Sequence, residues 1–340
     1  MIKSMFLATL ALIPTLAHAQ NQPALIEAYF SVVLIRGYHD NGGMAYGSGV
    51  VVAENEVVTN CHVLRATKQP WVSRGEDVYP ITTVRADTWH DLCLVTTQGM
   101  PFKPVIRGNS TALVRDQEIT AIGHSNGVPA PITSVGEIQG LYPTETGNMI
   151  RSSAKFMLGA SGSGLFDSDG KLVGINTVKT AGKGGSIHFA LPVEWLPILE
   201  KLPASTTFPV TGKALWEEDE DRKPFYMRAA IPETRQDWPT LLSLSEQWTQ
   251  AETNSPDAWF SLGMAQQQLH MDQVAMQSFE RAAALDHQFI EALFRAGDIA
   301  KKLGDTGTLT QITAAIQAVD PQLVAIFQEY TACGAQCQAR

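Results

Sequence analysis

Residues 158–166, with the sequence LGASGSGLF, are the most informative segment of this chain. The glycines beside Ser161 let the backbone turn sharply, so that the amides of Gly159 and Ser161 can point together. Two such donors would form an oxyanion hole. A serine hydroxyl is a poor nucleophile at neutral pH unless a neighbouring base accepts its proton. The segment therefore predicts Ser161 as a nucleophile and requires a base elsewhere.

Two earlier segments supply that base and its partner. Residues 57–64, VVTNCHVL, contain His62, and residues 91–95, DLCLV, begin with Asp91. A neutral imidazole can take the serine proton and later return it to a leaving group. A buried carboxylate fixes the tautomer of that imidazole and stabilises its protonated form. The sequence thus predicts His62 as base, Asp91 as orienting carboxylate and Ser161 as nucleophile.

Other residues near these segments are weaker candidates for the same roles. Ser163 lacks the wider Gly-x-Ser-x-Gly elbow of α/β-hydrolases. Asp87 could replace Asp91, but no apolar run follows it to bury its carboxylate. His90 is interpreted as a surface residue. Residues 182–186, GKGGS, lack the spacing of a phosphate loop and are interpreted as a hairpin turn.

Taken together, the segments resemble the trypsin-like (chymotrypsin-fold) serine proteases, most closely their bacterial HtrA/Deg branch. Further shared motifs are GSG at 47–49, DGKLVGIN at 169–176 and HFALP at 188–192. The resemblance covers about residues 25–200. It implies a double β-barrel with the site in the cleft between the barrels. Ala160 in place of asparagine, and Ser163-Gly164 in place of Gly-Pro, depart from the family pattern, and no PDZ domain is recognised.

The resemblance also implies a pocket for the residue that precedes the cleaved bond. Its floor is expected at Lys155, six residues before the nucleophile, with strand residues 176–178 and His188 nearby. The three strand positions are Asn176, Thr177 and Val178. A cation at the floor would repel lysine and arginine and could favour acidic side chains. The alternative is that Lys155 points to solvent, because lysine is seldom buried unpaired.

The chain changes character near residue 205. Before it, short apolar runs alternate with glycine, proline and asparagine turns, a pattern typical of β-barrels. After it, helical spacing that starts at Pro256 fits a 34-residue tetratricopeptide repeat, with a second unit from Ile290. An ordinary helical bundle is the alternative. The predicted fold class is an all-β, chymotrypsin-like double barrel followed by a smaller all-α helical-repeat domain. The predicted boundaries are 20–205 for the protease domain, 206–238 for an acidic linker, 239–330 for the helical domain and 331–340 for a tail.

The N-terminus has the layout of a secretory signal peptide. Lys3 precedes a short apolar run, and Ala17-His18-Ala19 forms a small-x-small cleavage site. Residues 1–19 are expected to be removed, so that the mature chain begins at Gln20. The apolar run is too short for a permanent membrane span. We therefore expect an exported protein, periplasmic or secreted, with no membrane span after signal cleavage.

The four cysteines are an even set in a chain expected in an oxidising compartment, which favours disulfides. The segments with His62 and Asp91 must be neighbours, so Cys61 and Cys93 could reach disulfide distance. Two buried free thiols are the alternative. Cys333 and Cys337 would then pair near the C-terminus. No histidines cluster with ligand spacing, so neither a metal nor a cofactor is expected.

Charge limits the class of partner. The net charge is -9, and residues 1–202 contribute -1 while residues 203–340 contribute -8. No basic face is available for a phosphate backbone, which argues against nucleic acid. The sequence predicts a serine endopeptidase that acts on a protein or peptide, with helical repeats that recruit a protein partner or substrate. The alternative is an inactive protease-fold scaffold that binds partners through these repeats.

Overall fold

The computed structural model describes residues 21–39, 41–65 and 67–333. The predicted signal peptide and cleavage site, Cys337 and the side chain of Cys333 lie outside the described residues. Within the described residues, no helix is long and apolar enough to cross a membrane.

A seven-stranded sheet forms the first β unit. Its strands are β1 (Val32–Tyr38), β2 (Met44–Ala53), β3 (Glu56–Asn60), β4 (Trp71–Arg74), β5 (Asp77–Pro80), β6 (Thr83–Asp87) and β7 (Leu92–Thr96). They pair antiparallel in the order β5-β4-β1-β2-β3-β7-β6. The valines of β2 and β3 alternate between two cores, as the period-2 pattern of strands requires. Val51 and Val57 enter the core of the first sheet, and Val50, Val52 and Val58 enter the core shared with the second barrel.

A closed six-stranded barrel forms the second β unit. Its strands are β8 (Glu118–Gly123), β9 (Ile132–Pro143), β10 (Asn148–Ser152), β11 (Gly164–Phe166), β12 (Leu172–Gly182) and β13 (Gly185–Pro192). Their order around the barrel is β10-β13-β12-β11-β8-β9. The nucleophile segment connects β10 to β11, so both of its ends are anchored in the barrel.

The predicted fold class, two chymotrypsin-like β units followed by helices, is confirmed. The first sheet differs from the expectation because it stays open. Val84, on the edge strand β6, exchanges two backbone hydrogen bonds of 2.8 Å with Ser205. This segment from beyond the second barrel occupies the edge of β6 that a closing strand would need.

Three helices lie within the β region: α1 (Gln22–Phe30), α2 (Cys61–Leu64) and α3 (Leu196–Leu199). The sequence did not predict α1. The side chain of Asn21 accepts a hydrogen bond from the amide of Ala24, and Pro23 lies in the first turn. Both are helix-start signals, and Leu25 and Ala28 join the core of the second barrel.

Seven α-helices follow the two β units in the part of the chain that the structure describes. They are α4 (Phe225–Arg235), α5 (Trp238–Ala251), α6 (Pro256–Gln268), α7 (Asp272–Leu285), α8 (Ile290–Leu303), α9 (Thr306–Val319) and α10 (Leu323–Cys333). The starts of α6 and α8 are 34 residues apart, as are the starts of α7 and α9. Gly263 and Gly297 leave room for the rings of Phe279 and Phe327, which a Cβ would meet within 3 Å. Tetratricopeptide-like repeats stay a prediction that this spacing supports.

The stretch predicted as an acidic linker, 206–238, includes a helix that packs on the second barrel. Met227 and Ala230 of α4 are buried in the same core as Phe189 of β13. The acidic residues 217–221 directly precede this helix. In the sequence they give the stretch the composition of a linker, although an amphipathic helix follows them. The helical region is therefore joined to the second barrel by a shared core.

Candidate active site

His62, in α2 directly after β3, and Asp91, directly before β7, form a close pair at one end of these two neighbouring strands. His62 Nδ1 lies 2.5 Å from Asp91 Oδ2, and the backbone amide of His62 donates to Asp91 Oδ1 over 2.7 Å. The side chain of Asp91 is 1% exposed, whereas that of His62 is 31% exposed. The buried carboxylate can thus hold the ring in one tautomer, while Nε2 remains free to face a substrate.

The position of Asp91 is fixed by several elements. Its carbonyl oxygen accepts hydrogen bonds from the amide of Cys61 and from Asn60 Nδ2, at 3.0 and 3.1 Å. Thr177 Oγ1, on β12 of the second barrel, donates to Asp91 Oδ2 over 3.3 Å. Asp91 has φ of 54°, in the left-handed region. Such a conformation persists only where its surroundings determine it, which these contacts do.

A disulfide lies directly beside this pair. The structure joins Cys61 to Cys93, with their Cα atoms 5.0 Å apart, and both residues are fully buried. Thr59 of β3 pairs with Cys93 of β7, so neighbouring strands bring the sulfurs together. The bond connects the segment that contains His62 to the segment that contains Asp91.

The loop that carries Ser161 rests on the middle of β2. Ser48 donates its amide to the carbonyl of Ser161 and its hydroxyl to the carbonyl of Gly159, each over 2.8 Å. A Cβ at Gly162 would lie 2.5 Å from Thr59 Oγ1 and 2.9 Å from the amide of Asn60. Because His62 follows Asn60 by two residues, these contacts bring the Ser161 loop to the end of the strand that leads to the base.

The geometry at Gly159 requires glycine. Its φ is 92°, and an added Cβ would lie 2.8 Å from the carbonyl oxygen of His124. Within the described residues, neither the amides of Gly159 and Ser161 nor the Ser161 hydroxyl has a hydrogen-bond partner. The two backbone donors are therefore available to an incoming oxyanion, as the oxyanion-hole prediction requires.

The alternative residues have other partners. Ser163 is fully buried, and its Oγ accepts from Asn176 Nδ2 over 3.0 Å. Asp87 pairs with His90, whose Nδ1 lies 2.7 Å from Asp87 Oδ2 and whose ring packs on Trp195. A fully buried hydroxyl is poorly placed to attack a substrate, and Asp87 is already occupied by His90.

The predicted pocket residues do not share one environment. Lys155 is exposed after β10, which matches the alternative in which its ammonium lies in solvent. Thr177 contacts Asp91, whereas Val178 is half-buried on β12. His188 lies on β13 opposite Lys179, packs its ring against Phe156 and is 2% exposed. Asn176 is also fully buried and bonds the Ser163 side chain, so it braces the nucleophile loop.

Burial affects the charge of His188. Desolvation, with the nearby charge of Lys179, lowers the pKa of His188 from 6.5 to about 4. The imidazole is therefore neutral at physiological pH.

A salt bridge lies near the base. Arg65, three residues after His62, forms a bidentate salt bridge with Glu217. Its Nη1 lies 2.7 Å from Glu217 Oε2 and its Nη2 lies 2.8 Å from Glu217 Oε1. Bonding to Arg65 holds the pKa of Glu217 below its usual value. Among the described residues, no cluster of three His, Cys, Asp or Glu side chains could hold a metal ion.

Sequence reasoning missed two contributions to this site. Ser48 supports the nucleophile loop, although its Gly-Ser-Gly segment was recognised. Thr177 is predicted from the sequence only as a residue of the substrate pocket. The structure shows that its hydroxyl also donates a hydrogen bond to Asp91 of the other β unit. No local pattern could reveal either contact, because each partner is distant in sequence.

Comparison with known proteins finds a family match over the part of the chain that contains these residues. Residues 47–175 match the family model of the trypsin-like peptidase domain. The chain is 31% identical over 155 residues to a probable periplasmic serine endoprotease DegP-like of Chlamydia pneumoniae, covering 43% of this chain and 32% of that protein. It is 33% identical over 174 residues to the periplasmic serine endoprotease DegP of Escherichia coli K12, covering 46% and 36%. The chain thus spans about a third of the length of these curated relatives.

Among solved structures, the active form of the Rv3671c protease of M. tuberculosis is similar to 57% of this chain. The match covers 89% of that chain, with 22% identity and a TM-score of 0.49.

Proposed function

We propose that this chain, whose residues 47–175 form a trypsin-like peptidase domain, is a serine endopeptidase that works through an acyl-enzyme on Ser161. The observation that carries the proposal is the His62–Asp91 pair. A 1% exposed carboxylate is bonded to both the imidazole and the amide of a half-exposed histidine. A base held in this way is what a serine nucleophile requires.

In the proposed reaction, His62 takes the proton of Ser161 as the oxygen attacks the carbonyl carbon of the scissile peptide bond. The amides of Gly159 and Ser161 stabilise the negative charge that develops on the carbonyl oxygen. Protonated His62 then gives its proton to the departing amine, and the acyl group remains on Ser161. Water then gives a proton to His62 and attacks the acyl carbon of this ester. The bond to Ser161 Oγ breaks, the carboxylic acid leaves, and His62 returns the proton to Ser161.

We expect the protein to act in the periplasm or as a secreted enzyme. The Cys61–Cys93 disulfide supports an oxidising compartment, and the curated relatives are named as periplasmic. The expected mature N-terminus is Gln20, which mass spectrometry of exported protein would test.

A fluorophosphonate probe tests the activity without knowledge of the substrate. We expect the wild-type chain to be labelled, and tandem mass spectrometry to place the adduct on Ser161. Ser161→Ala should abolish labelling, and His62→Ala should reduce it nearly to background. Ser163→Ala serves as the matched control, because it removes the other serine hydroxyl of the same loop. Unlabelled wild-type chain with a normal circular dichroism spectrum would favour the scaffold alternative.

Recruitment of a protein partner or substrate by the helical region is also part of the proposal. The supporting observations are the 34-residue spacing of its helices and its contact with the second barrel. Repeat arrays of this kind present concave surfaces that bind extended segments.

A further inference from the structure

A cleft of about 900 Å³ lies between the second barrel and the helical region. The barrel contributes Tyr142 and Glu145, and the helical region contributes Tyr226 and the turn at 252–255. Its volume is within the range of roughly 300–1,000 Å³ that is typical of ligand sites. None of the predicted catalytic residues lines it.

We propose that this interdomain cleft binds an extended peptide segment that carries lysine or arginine side chains. The proposal deepens the proposed function, since such a segment would belong to the partner or substrate that the helical region recruits.

Charge complementarity is the first argument. The residues lining the cleft include four carboxylates, Glu145, Glu252, Asp257 and Asp286, and a single guanidinium, that of Arg115. Arg115 Nη2 lies 3.0 Å from Asp257 Oδ2, and its Nε lies 3.4 Å from Asp286 Oδ2. The lining therefore carries an excess of negative charge, because Glu145 and Glu252 have no cationic partner among the described residues. Such a field attracts cationic side chains and repels acidic ones.

Glu145 and Glu252 lie on opposite sides of the cleft. Glu252 Oε2 accepts a hydrogen bond of 2.7 Å from Trp248 Nε1, which fixes this carboxylate at the end of α5. Glu145 lies across the cleft in the exposed turn after β9. Burial and the charges of these two glutamates raise the pKa of the Tyr226 phenol, so both carboxylates lie near the same ring.

Aromatic faces are the second argument. Tyr142 and Tyr226 stack in parallel with ring centroids 4.2 Å apart, so each ring covers one face of the other. Tyr142 is 6% exposed, and Tyr226 is half-buried where it lines the cleft. Trp89, which lines the cleft from the turn between β6 and β7 of the first sheet, is 43% exposed. Aromatic faces attract ammonium and guanidinium groups and also pack against the aliphatic stems of lysine and arginine. The cleft therefore combines both features that recognise a basic side chain.

Fluorescence anisotropy on the full chain carrying Ser161→Ala tests the proposal without cleavage of the probe. The probe is a fluorescein-labelled, amidated octapeptide of four Lys-Leu pairs, compared with the same peptide of four Glu-Leu pairs. The test variants are Glu145→Gln and Glu252→Gln, singly and together, since glutamine can still accept from Trp248. The matched control is Glu76→Gln, an exposed glutamate in the turn between β4 and β5.

We expect saturable binding of the basic peptide, which weakens with added salt, and much weaker binding of the acidic peptide. Each single variant should weaken binding about two- to fivefold and the double variant about tenfold, as for partly exposed charge pairs. Glu76→Gln should bind like its parent.

Absence of saturable binding, or binding that the double variant leaves unchanged, would overturn the proposal. Equal affinity for the acidic peptide would do the same. So would self-association of the chain that the double variant abolishes while neither peptide binds, because a second copy would then be the occupant. Wild-type chain that binds the basic peptide but escapes fluorophosphonate labelling would instead contradict the proposed function alone.

Discussion

A single hydrogen bond from Thr177 links the second β unit to Asp91 in the first. Its hydroxyl donates to the same oxygen of Asp91 that bonds the His62 ring. This contact adds a hydrogen bond from the second β unit to a buried carboxylate that otherwise bonds to His62 of the first unit. Thr177 therefore contacts His62 only through Asp91, and if His62 is the base as we propose, Thr177 is a positioning residue.

The first prediction concerns this hydroxyl. Thr177→Val keeps the shape of the side chain and should lower the rate constant of fluorophosphonate labelling about tenfold, because a hydrogen bond to a charged group contributes about 1.5–3 kcal/mol. Thr177→Ser should restore most of the rate. Equal losses in both variants, with unchanged melting temperatures, would show that packing rather than the hydrogen bond matters.

His188 gives a prediction about pH and stability. Its pKa is lowered to about 4 in the folded chain, against 6.5 for the free side chain. Above pH 6.5 the imidazole is neutral in both states and has no effect. Between pH 6.5 and 4 the unfolded chain binds a proton that the folded chain does not. The free energy of unfolding should therefore fall by on the order of 3 kcal/mol across this window.

Urea titrations at several pH values would measure this loss. His188→Gln should flatten the profile between pH 6.5 and 4, whereas the exposed control His287→Gln should keep the wild-type slope. The buried His124, whose pKa is also lowered, contributes to both profiles, so the difference between variants is the informative quantity. Parallel profiles for wild type and His188→Gln would contradict the prediction.

At the level of elements, the disulfide joins α2 to β7 and closes a loop with a sequence separation of 32. The double variant Cys61→Ala/Cys93→Ala should lower the free energy of unfolding by about 3–4 kcal/mol, mainly because the unfolded chain gains freedom. Denaturant unfolding with and without reductant measures the effect. Alkylation of both cysteines in denatured, unreduced protein would show that no such bond forms.

Elements were predictable from sequence to different degrees. The segments around His62, Asp91 and Ser161 combine glycine turns with short apolar runs, and these local signals suffice to place them. Helix α4 was missed because its apolar face is matched to the second barrel, a contact that local periodicity does not contain. The first sheet was expected to close, but the chain brings Ser205 to its edge from 121 residues beyond Val84.

At the scale of the whole molecule, the helices divide between two cores. Those at the start of the region, α4 to α6, share a core with the second barrel, where the ring of Trp248 lies near Tyr142. The later helices form their own core around Phe279 and Phe327. The pair Arg151–Glu233, with bonds of 2.7 and 3.0 Å, adds a charged contact between β10 and α4. The protease fold therefore depends on the first helices far more than on the last.

Two matched substitutions test this division. Trp248 is 2% exposed in the shared core, and Phe327 is 1% exposed in the helical core. Replacing either aromatic side chain by alanine should lower the free energy of unfolding of the core that contains it by about 3–5 kcal/mol. Because Trp248 packs on the barrel, Trp248→Ala should lower the temperature at which fluorophosphonate labelling is lost by roughly 10 °C. Phe327→Ala should instead melt α9 and α10 early, seen by circular dichroism, while labelling persists to nearly the wild-type temperature. An equal loss of labelling in both variants would mean that the barrels and all seven helices unfold as one unit, and that the later helices also hold the catalytic residues in place.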